Sequence, residues 1–532
     1  MKNILICILS VVTLYTCKSI DVHNEAVVRL HPVEDIHQDI DKLYKQLKRH
    51  HPRLYQYTPK QQLDFKFDSL KQSISSPMTS RQLHKQLAQV TKYIGQGHMS
   101  ISPPYKTFTR KERKALNKMR FGINNIDTEY VNNKLIVRNA RHKDTLLINA
   151  EILAVNGKNT KDLISEFKKG VASDGYNTTF HPRVVGYRFF SYYKQANGRF
   201  DSISLTLRNA DSTFVKTYKR VPKQKNEKPK DSVAGDSLQK KPKKQKLTKA
   251  EKKAKKLKFK KRRDERRKKS YDYTLKEYRR ELTFIGEDSA VGYLKIKGFT
   301  GGKYKAFHED TFKTLDSLKT EVLIIDLRNN FGGSLNEINN LYSYLTDKNF
   351  TIINPSETNS RIPVLKATMS NTTSPFSKTI IGVLSPVILT HNLLKTKKRD
   401  GKLYYKFKAA KEHEPNPLNF KGKLYVLING NSFSASSILS TQLQGTNRAT
   451  FVGEETGGAY NGTVAGIYKL YELPNTKIKA RIGLMHIDSK FKTTPDGYGI
   501  KPDVEISPTY NNRLNGIDPE LEWVLSNIQK KK

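Results

Sequence analysis

The chain has 532 residues, 96 Lys+Arg against 50 Asp+Glu, a formal net charge of +46 and only 36% apolar residues. That length predicts two to four domains, the polarity excludes a multi-span membrane protein, and 2 Cys exclude a disulfide scaffold. A surplus of this size invites a nucleic-acid partner unless the charge is confined to one segment.

In chain order, a basic start at Lys2 and an apolar run from Ile4 to Tyr15 predict a secretory signal over residues 1–17. The run is too short for a spanning helix of about 20 residues. Leu14-Tyr15-Thr16-Cys17 resembles a bacterial lipobox, which would make Cys17 an acylated first residue and a membrane anchor; ordinary signal cleavage is the alternative. With Cys7 removed and Cys17 lipidated, the mature chain has no free thiol, which suits an oxidising envelope compartment. An exported protein, in the periplasm or on the outer membrane, rarely meets nucleic acid.

Residues 18–117 read as a helical region. Ile36, Ile40, Leu43 and Leu47 share one helical face, and Thr79-Ser80 can cap a helix with Leu83, Leu87, Val90 and Ile94 on its apolar side. Residues 118–222 read as short strands. Within them Leu147–Gly157 resembles a stretch of PDZ domains, which bind peptides by strand addition; a generic small β domain is the alternative. Residues 223–272 are expected to be a basic disordered linker: between 221 and 270 there are 23 Lys+Arg and 6 Asp+Glu, a surplus of +17. Thr248–Lys269 is its one candidate helix. Residues 273–532 are expected to form an α/β domain, with strands at Val291–Ile296, Val322–Leu327 and Leu424–Ile428 and helices at Ala306–Leu318 and Leu335–Leu345. Such alternation predicts a largely parallel core sheet.

Two strand-to-helix junctions could carry chemistry. Asp326–Ser334 ends a buried-type strand in a turn containing Gly332 and Gly333, which lets backbone N–H groups approach an oxyanion or a phosphate. Asn429–Ser437 places Ser434 before a helix, the geometry of a nucleophile elbow, where the helix N-terminus stabilises developing negative charge. Helix capping is the competing use of a Ser there.

Together these junctions resemble the C-terminal processing (tail-specific) peptidase family, as do Phe451–Gly458 and the closing Gly499-Ile500-Lys501-Pro502-Asp503. The resemblance implies a multidomain α/β protein with a ClpP/crotonase-like catalytic core, preceded by a helical region and a PDZ-like β domain. It implies serine peptidase activity on polypeptide C-terminal regions. Many members use a Ser–Lys dyad, but Ala459 or Asn461 stands here where that Lys belongs. The chain therefore is similar to the tricorn-core-like branch, which uses a His and an acid. Gly95-Gln96-Gly97-His98 is similar to that branch's His motif, ahead of His486, His181 and His391, and Gln96 replaces the usual Asp.

The resemblance implies Ser434 as nucleophile, His98 as general base and Asp496 as the acid, with Asp503 as runner-up. It implies an oxyanion hole from the N–H groups of Ala435 and of Gly332 or Gly333. Glu454 could instead be a buried, satisfied carboxylate. No metal constellation and no cofactor are expected. The partners expected are polypeptide substrates and a membrane through Cys17, with no nucleic acid. A catalytically silent peptide- or apolar-ligand-binding protein on the same fold is the alternative.

Overall fold

The computed structural model describes residues 20–223, 248–273, 275–286 and 289–530. The signal, Cys7 and Cys17 lie outside the described residues.

The helical region contains α1 (Val33–His50), α2 (Lys60–Gln72) and α3 (Ser80–Thr91). Ile36, Ile40, Leu43 and Leu47 are fully buried, as their spacing requires, and Thr79 closes a capping box with Gln82 at the start of α3. Their core continues into Leu473, Ile478, Ala480 and Ile482 of the α/β domain. The strand β1 (Ser100–Ser102) completes that join. It pairs antiparallel with a distant strand of the α/β domain, Ser100 opposite Arg481.

Next comes a seven-stranded sheet built from β2 (Met119–Phe121), β3 (Ile126–Val131), β4 (Lys134–Ala140), β5 (Glu151–Val155), β6 (Ser202–Asn209) and β7 (Ser212–Pro222). Its order is β2-β7-β6-β5-β4-β3, with Lys158–Asn159 added on β5. Asn156 and Gly157, at φ 47° and 78°, form the two-residue turn that Asn-Gly encodes. Between β5 and β6 the stretch read as short strands also holds helices. There α4 (Thr160–Lys169), α5 (Phe180–Tyr187) and α6 (Phe189–Asn197) intervene. Asn159 caps α4, and Leu163, Ile164 and Phe167 recur at helical spacing and are buried.

Of the expected linker, residues 224–247 lie outside the described residues. Lys249–Lys268 is a helix, α7, within the candidate span Thr248–Lys269. A capping box between Thr248 and Glu251 starts it, its Lys, Ala and Glu residues favour helix, and Lys303 N–H donates to Arg267 C=O at 2.8 Å to tie down its end.

The α/β domain holds two six-stranded sheets. The first runs β8 (Arg280–Ile285), β9 (Val291–Ile296), β10 (Val322–Asp326), β14 (Lys423–Ile428), β15 (Thr450–Gly453) and β18 (Val504–Glu505), parallel except for the β8–β9 pair. The second is β12 (Thr396–Arg399), β13 (Lys402–Tyr405), β11 (Ser356–Thr358), β17 (Lys479–Asp488) and β16 (Gly462–Glu472), with β1 added on β17. Helices α8 (Tyr304–Ser317), α9 (Leu335–Ser343) and α12 (Ala435–Gly445) pack on the parallel sheet, and α10 (Pro363–Asn371) and α11 (Pro375–Lys395) follow β11. The carboxyl ends of β10 and β14 carry the two suspected junctions, the edge at which open α/β sheets place their ligands.

Candidate active site

A cavity of about 370 Å³ opens where the three regions meet. Gly97 and His98 reach it from the helical region, Phe180 and Arg188 from the sheet domain, and Ser434 and Gly333 from the α/β domain.

Ser434 stands between β14 and α12 with φ 62° and ψ −123°, a conformation non-glycine residues avoid and which costs about 1–3 kcal/mol. It does not cap the helix: its side chain makes no capping hydrogen bond. The other serines of the junction are hydrogen-bonded elsewhere or shut off from the cavity. Ser432 Oγ donates to Leu327 C=O at 2.8 Å, Ser437 Oγ to Ser432 C=O at 3.0 Å, and Ser436 is fully buried. Ser434 is the half-buried one whose hydroxyl faces the cavity.

The Gly332–Gly333 turn lies directly against it. Gly332 has φ 87°, and a Cβ there would sit 2.7 Å from Ser434 Cβ, so no side chain fits. The Gly332 N–H, however, is donated to Asn330 Oδ1 at 2.9 Å, which removes Gly332 as an oxyanion donor. Gly333 lines the cavity, and neither its N–H nor that of Ala435 has a partner among the described residues. Of the three expected donors, Gly333 and Ala435 are the two whose N–H groups have no partner among the described residues.

His98 sits in the loop before β1, its ring stacked on Phe433 at 4.6 Å between centroids. Gly97 makes this possible, since a Cβ there would meet Phe433 Cζ at 2.7 Å. His98 Nδ1 lies 3.1 Å from Thr463 Oγ1. Thr463 is also hydrogen-bonded to Asp174, a fully buried carboxyl in the loop between α4 and α5. A hydroxyl has one proton; given to ionised Asp174, it leaves Thr463 to accept from His98 Nδ1–H. That fixes the tautomer with the Nε2 lone pair free. Burial, then Arg481, lowers the imidazole to about 3, so the ring is neutral at ordinary pH. Burial raises Asp174 to about 6, against the donors Gly97 N–H at 2.8 Å, Thr463 and Ala459 N–H at 3.5 Å.

Asp496 is not brought to His98. Its carboxylate accepts from Gln56 Nε2 at 2.9 Å and from Gly497 N–H at 2.7 Å. The runner-up Asp503 accepts from Phe451 N–H at 2.7 Å, a structural use. The acid that reaches the histidine is Asp174, by way of Thr463. The sequence held one faint signal for it, Ser173-Asp174-Gly175, indistinguishable from an ordinary turn. Gln96 bridges Val464 N–H, accepted at 3.1 Å, and Gln56 Oε1, donated to at 3.1 Å; an ionised Asp could make only the first bond.

Glu454 is the buried, satisfied carboxylate anticipated, paired with Arg183 and accepting from Ser507 Oγ at 2.8 Å. Lys469, the nearest downstream lysine, donates to Gln46 at 2.7 Å, and no lysine lines the cavity. His486 is buried on β17, and neither it, His181 nor His391 lines the cavity.

Residues 290–506 match the model of peptidase family S41. No curated protein matches the chain. Among solved structures, mature CPAF complexed with lactacystin superposes with a TM-score of 0.59 at 16% identity, over 94% of this chain and 98% of that one. Mature CPAF in a second structure gives 0.55 at 15%, over 91% and 95%. The photosystem II D1 C-terminal processing protease gives 0.41 at 13%, over 89% and 93%. The CPAF likeness establishes a shared fold that includes the helical region and the sheet domain, beyond the matched family segment. Residues 290–506 thus match peptidase family S41, a family of serine-type peptidase hydrolases.

Proposed function

We propose that the chain is a serine endopeptidase of the cell envelope that cleaves unfolded or C-terminally exposed polypeptides through an acyl-enzyme. One observation carries the reading: an uncapped Ser434, held at φ 62°, shares a cavity with a histidine whose Nδ1 is already engaged. A silent binding protein on this fold would have no use for that strain. In this reading Ser434 Oγ attacks the scissile carbonyl as His98 Nε2 takes its proton, then returns it to the leaving amine. Asp174 acts through Thr463 to hold the ring and to stabilise the imidazolium that forms. The N–H groups of Gly333 and Ala435 receive the oxyanion, each such donor contributing about 3 kcal/mol of transition-state stabilisation.

The cavity wall suits an apolar substrate side chain, since Phe331, Phe433, Ile438, Ala465 and Ile487 line it together with the cations Arg188 and Arg481. The cell-envelope location rests on the Lys2–Cys17 segment. A PDZ-like character for the sheet domain rests on the Asn156–Gly157 hairpin, and a ClpP/crotonase-like character for the core on the parallel sheet with its two glycine-bearing junctions. The test is labelling by a serine-reactive phosphonate together with turnover of an unfolded polypeptide. Both are expected, and both are lost in Ser434→Ala. Labelling that survives that change, or a folded protein that neither labels nor cleaves, sinks the assignment.

A further inference from the structure

The densest group of solvent-facing apolar side chains lies on α11. Phe376, Ile380, Val383, Leu384, Val387 and Leu394 are all exposed, Val383 by 75% and Val387 by 69%. Their spacing aligns them in one stripe running the length of the helix. Leu389 and Leu393, off this stripe, are exposed as well, by 38% and 48%; α11 is held at Asn392, which is fully buried and whose Oδ1 accepts from Val364 N–H of α10 at 2.9 Å. The stripe therefore packs against none of the described residues closely enough to be buried.

The charge beside it is one-sided. From Thr358 to Arg399 the chain has no Asp or Glu but carries Arg361, Lys366, Lys378, Lys395, Lys397, Lys398 and Arg399. The β12–β13 hairpin that follows α11 directly presents Lys397, Lys398, Arg399 and Lys402 to solvent, with one acid, Asp400, at its turn and Lys402 3.8 Å from Glu357. A second copy of the chain is a poor occupant, because a two-fold contact sets these cations against the same cations with only Asp400 of the hairpin to answer them. An anionic bilayer answers both features: its headgroups take the cations and its acyl boundary takes the stripe. No described helix is long and apolar enough to cross a membrane, so α11 would lie in the interface.

We propose that α11 and the β12–β13 hairpin form a docking surface for anionic lipid bilayers. The proposal rests neither on acylation at Cys17 nor on peptidase activity. It adds orientation, since α10 joins α11 to β16, where Asn371 donates to Tyr468 C=O at 3.0 Å beside the cavity.

The test uses the full chain with its single tryptophan removed (Trp523→Phe) and a reporter placed in the stripe (Val383→Trp), mixed with vesicles of acyl-brominated lipid. Phosphatidylglycerol vesicles should blue-shift and quench the reporter, and phosphatidylcholine vesicles should do so far less. Adding Lys397→Ala, Lys398→Ala and Arg399→Ala should weaken partitioning by on the order of a hundredfold, from about fivefold per surface cation. Far-UV circular dichroism keeps folding in view. An unquenched reporter in folded protein on phosphatidylglycerol overturns the proposal. So does a concentration-dependent blue shift without lipid, which would mean self-association, or a triple variant that partitions unchanged.

Discussion

The elbow of Ser434 and the relay behind His98 are halves of one site built in opposite ways. The elbow comes from the ends of two neighbouring parallel strands, β10 and β14, and its shape is written locally: glycine where a Cβ would strike Ser434, and a serine whose hydroxyl is spared from capping. The relay joins a loop of the helical region, a loop of the sheet domain and β16, so His98, Asp174 and Thr463 meet only once three regions have packed. A locally encoded half can be damaged one residue at a time. A half assembled across domains fails through its supports as well.

Substitutions can break that comparison in order of size. Ser434→Ala should cost about 10⁶-fold in kcat, with phosphonate labelling lost, and His98→Ala should approach the same figure. If His98→Ala keeps most turnover, the relay is not the base. Asp174→Asn is expected to cost up to about 10⁴-fold, the figure for losing a directly bonded triad acid, and less here because the contact passes through Thr463. It should also change the pH profile. The buried Asp174 carboxyl is raised to about 6, whereas His98, lowered to about 3, stays neutral across that range. Ionised Asp174 is the competent form, so kcat/KM should rise with pH through about 6. Asp174→Asn should abolish that limb; a limb that persists unmoved assigns it to another group. Thr463→Val, which removes the bridging hydroxyl, should reproduce most of the Asp174→Asn loss, and activity left intact would disconnect the carboxylate from the ring. Asp496→Asn and Lys469→Ala should leave turnover nearly unchanged, since their side chains are bound to Gln56 and Gln46.

The same division governs how much was legible beforehand. The buried run Val322–Asp326, the glycine turn after it and the serine before α12 are local patterns, and Gly333 and Ser434 of these junctions line the cavity. The flanking glycines of His98 are also local, and Gly97 proves to be what lets the ring lie on Phe433. Asp496 was chosen by its distance along the chain from the closing motif, a measure blind to what packs beside it. Asp174 lies in the sheet domain, 260 residues before Ser434, in a stretch that reads as short strands. Gly332 and Gly333 are equal candidates by sequence, and only the fold gives the Gly332 N–H to Asn330.

The sequence by itself determined the periodic elements, the strained serine's setting and the basic character of the chain, because each depends on neighbours a few residues away. Of the +46, it also located +17 between residues 221 and 270. Tertiary structure alone decided which carboxylate meets the histidine, which N–H remains free and which apolar helix face stays in water. Each of those turns on desolvation and hydrogen-bond partners supplied by remote segments, and a linear pattern carries no record of them.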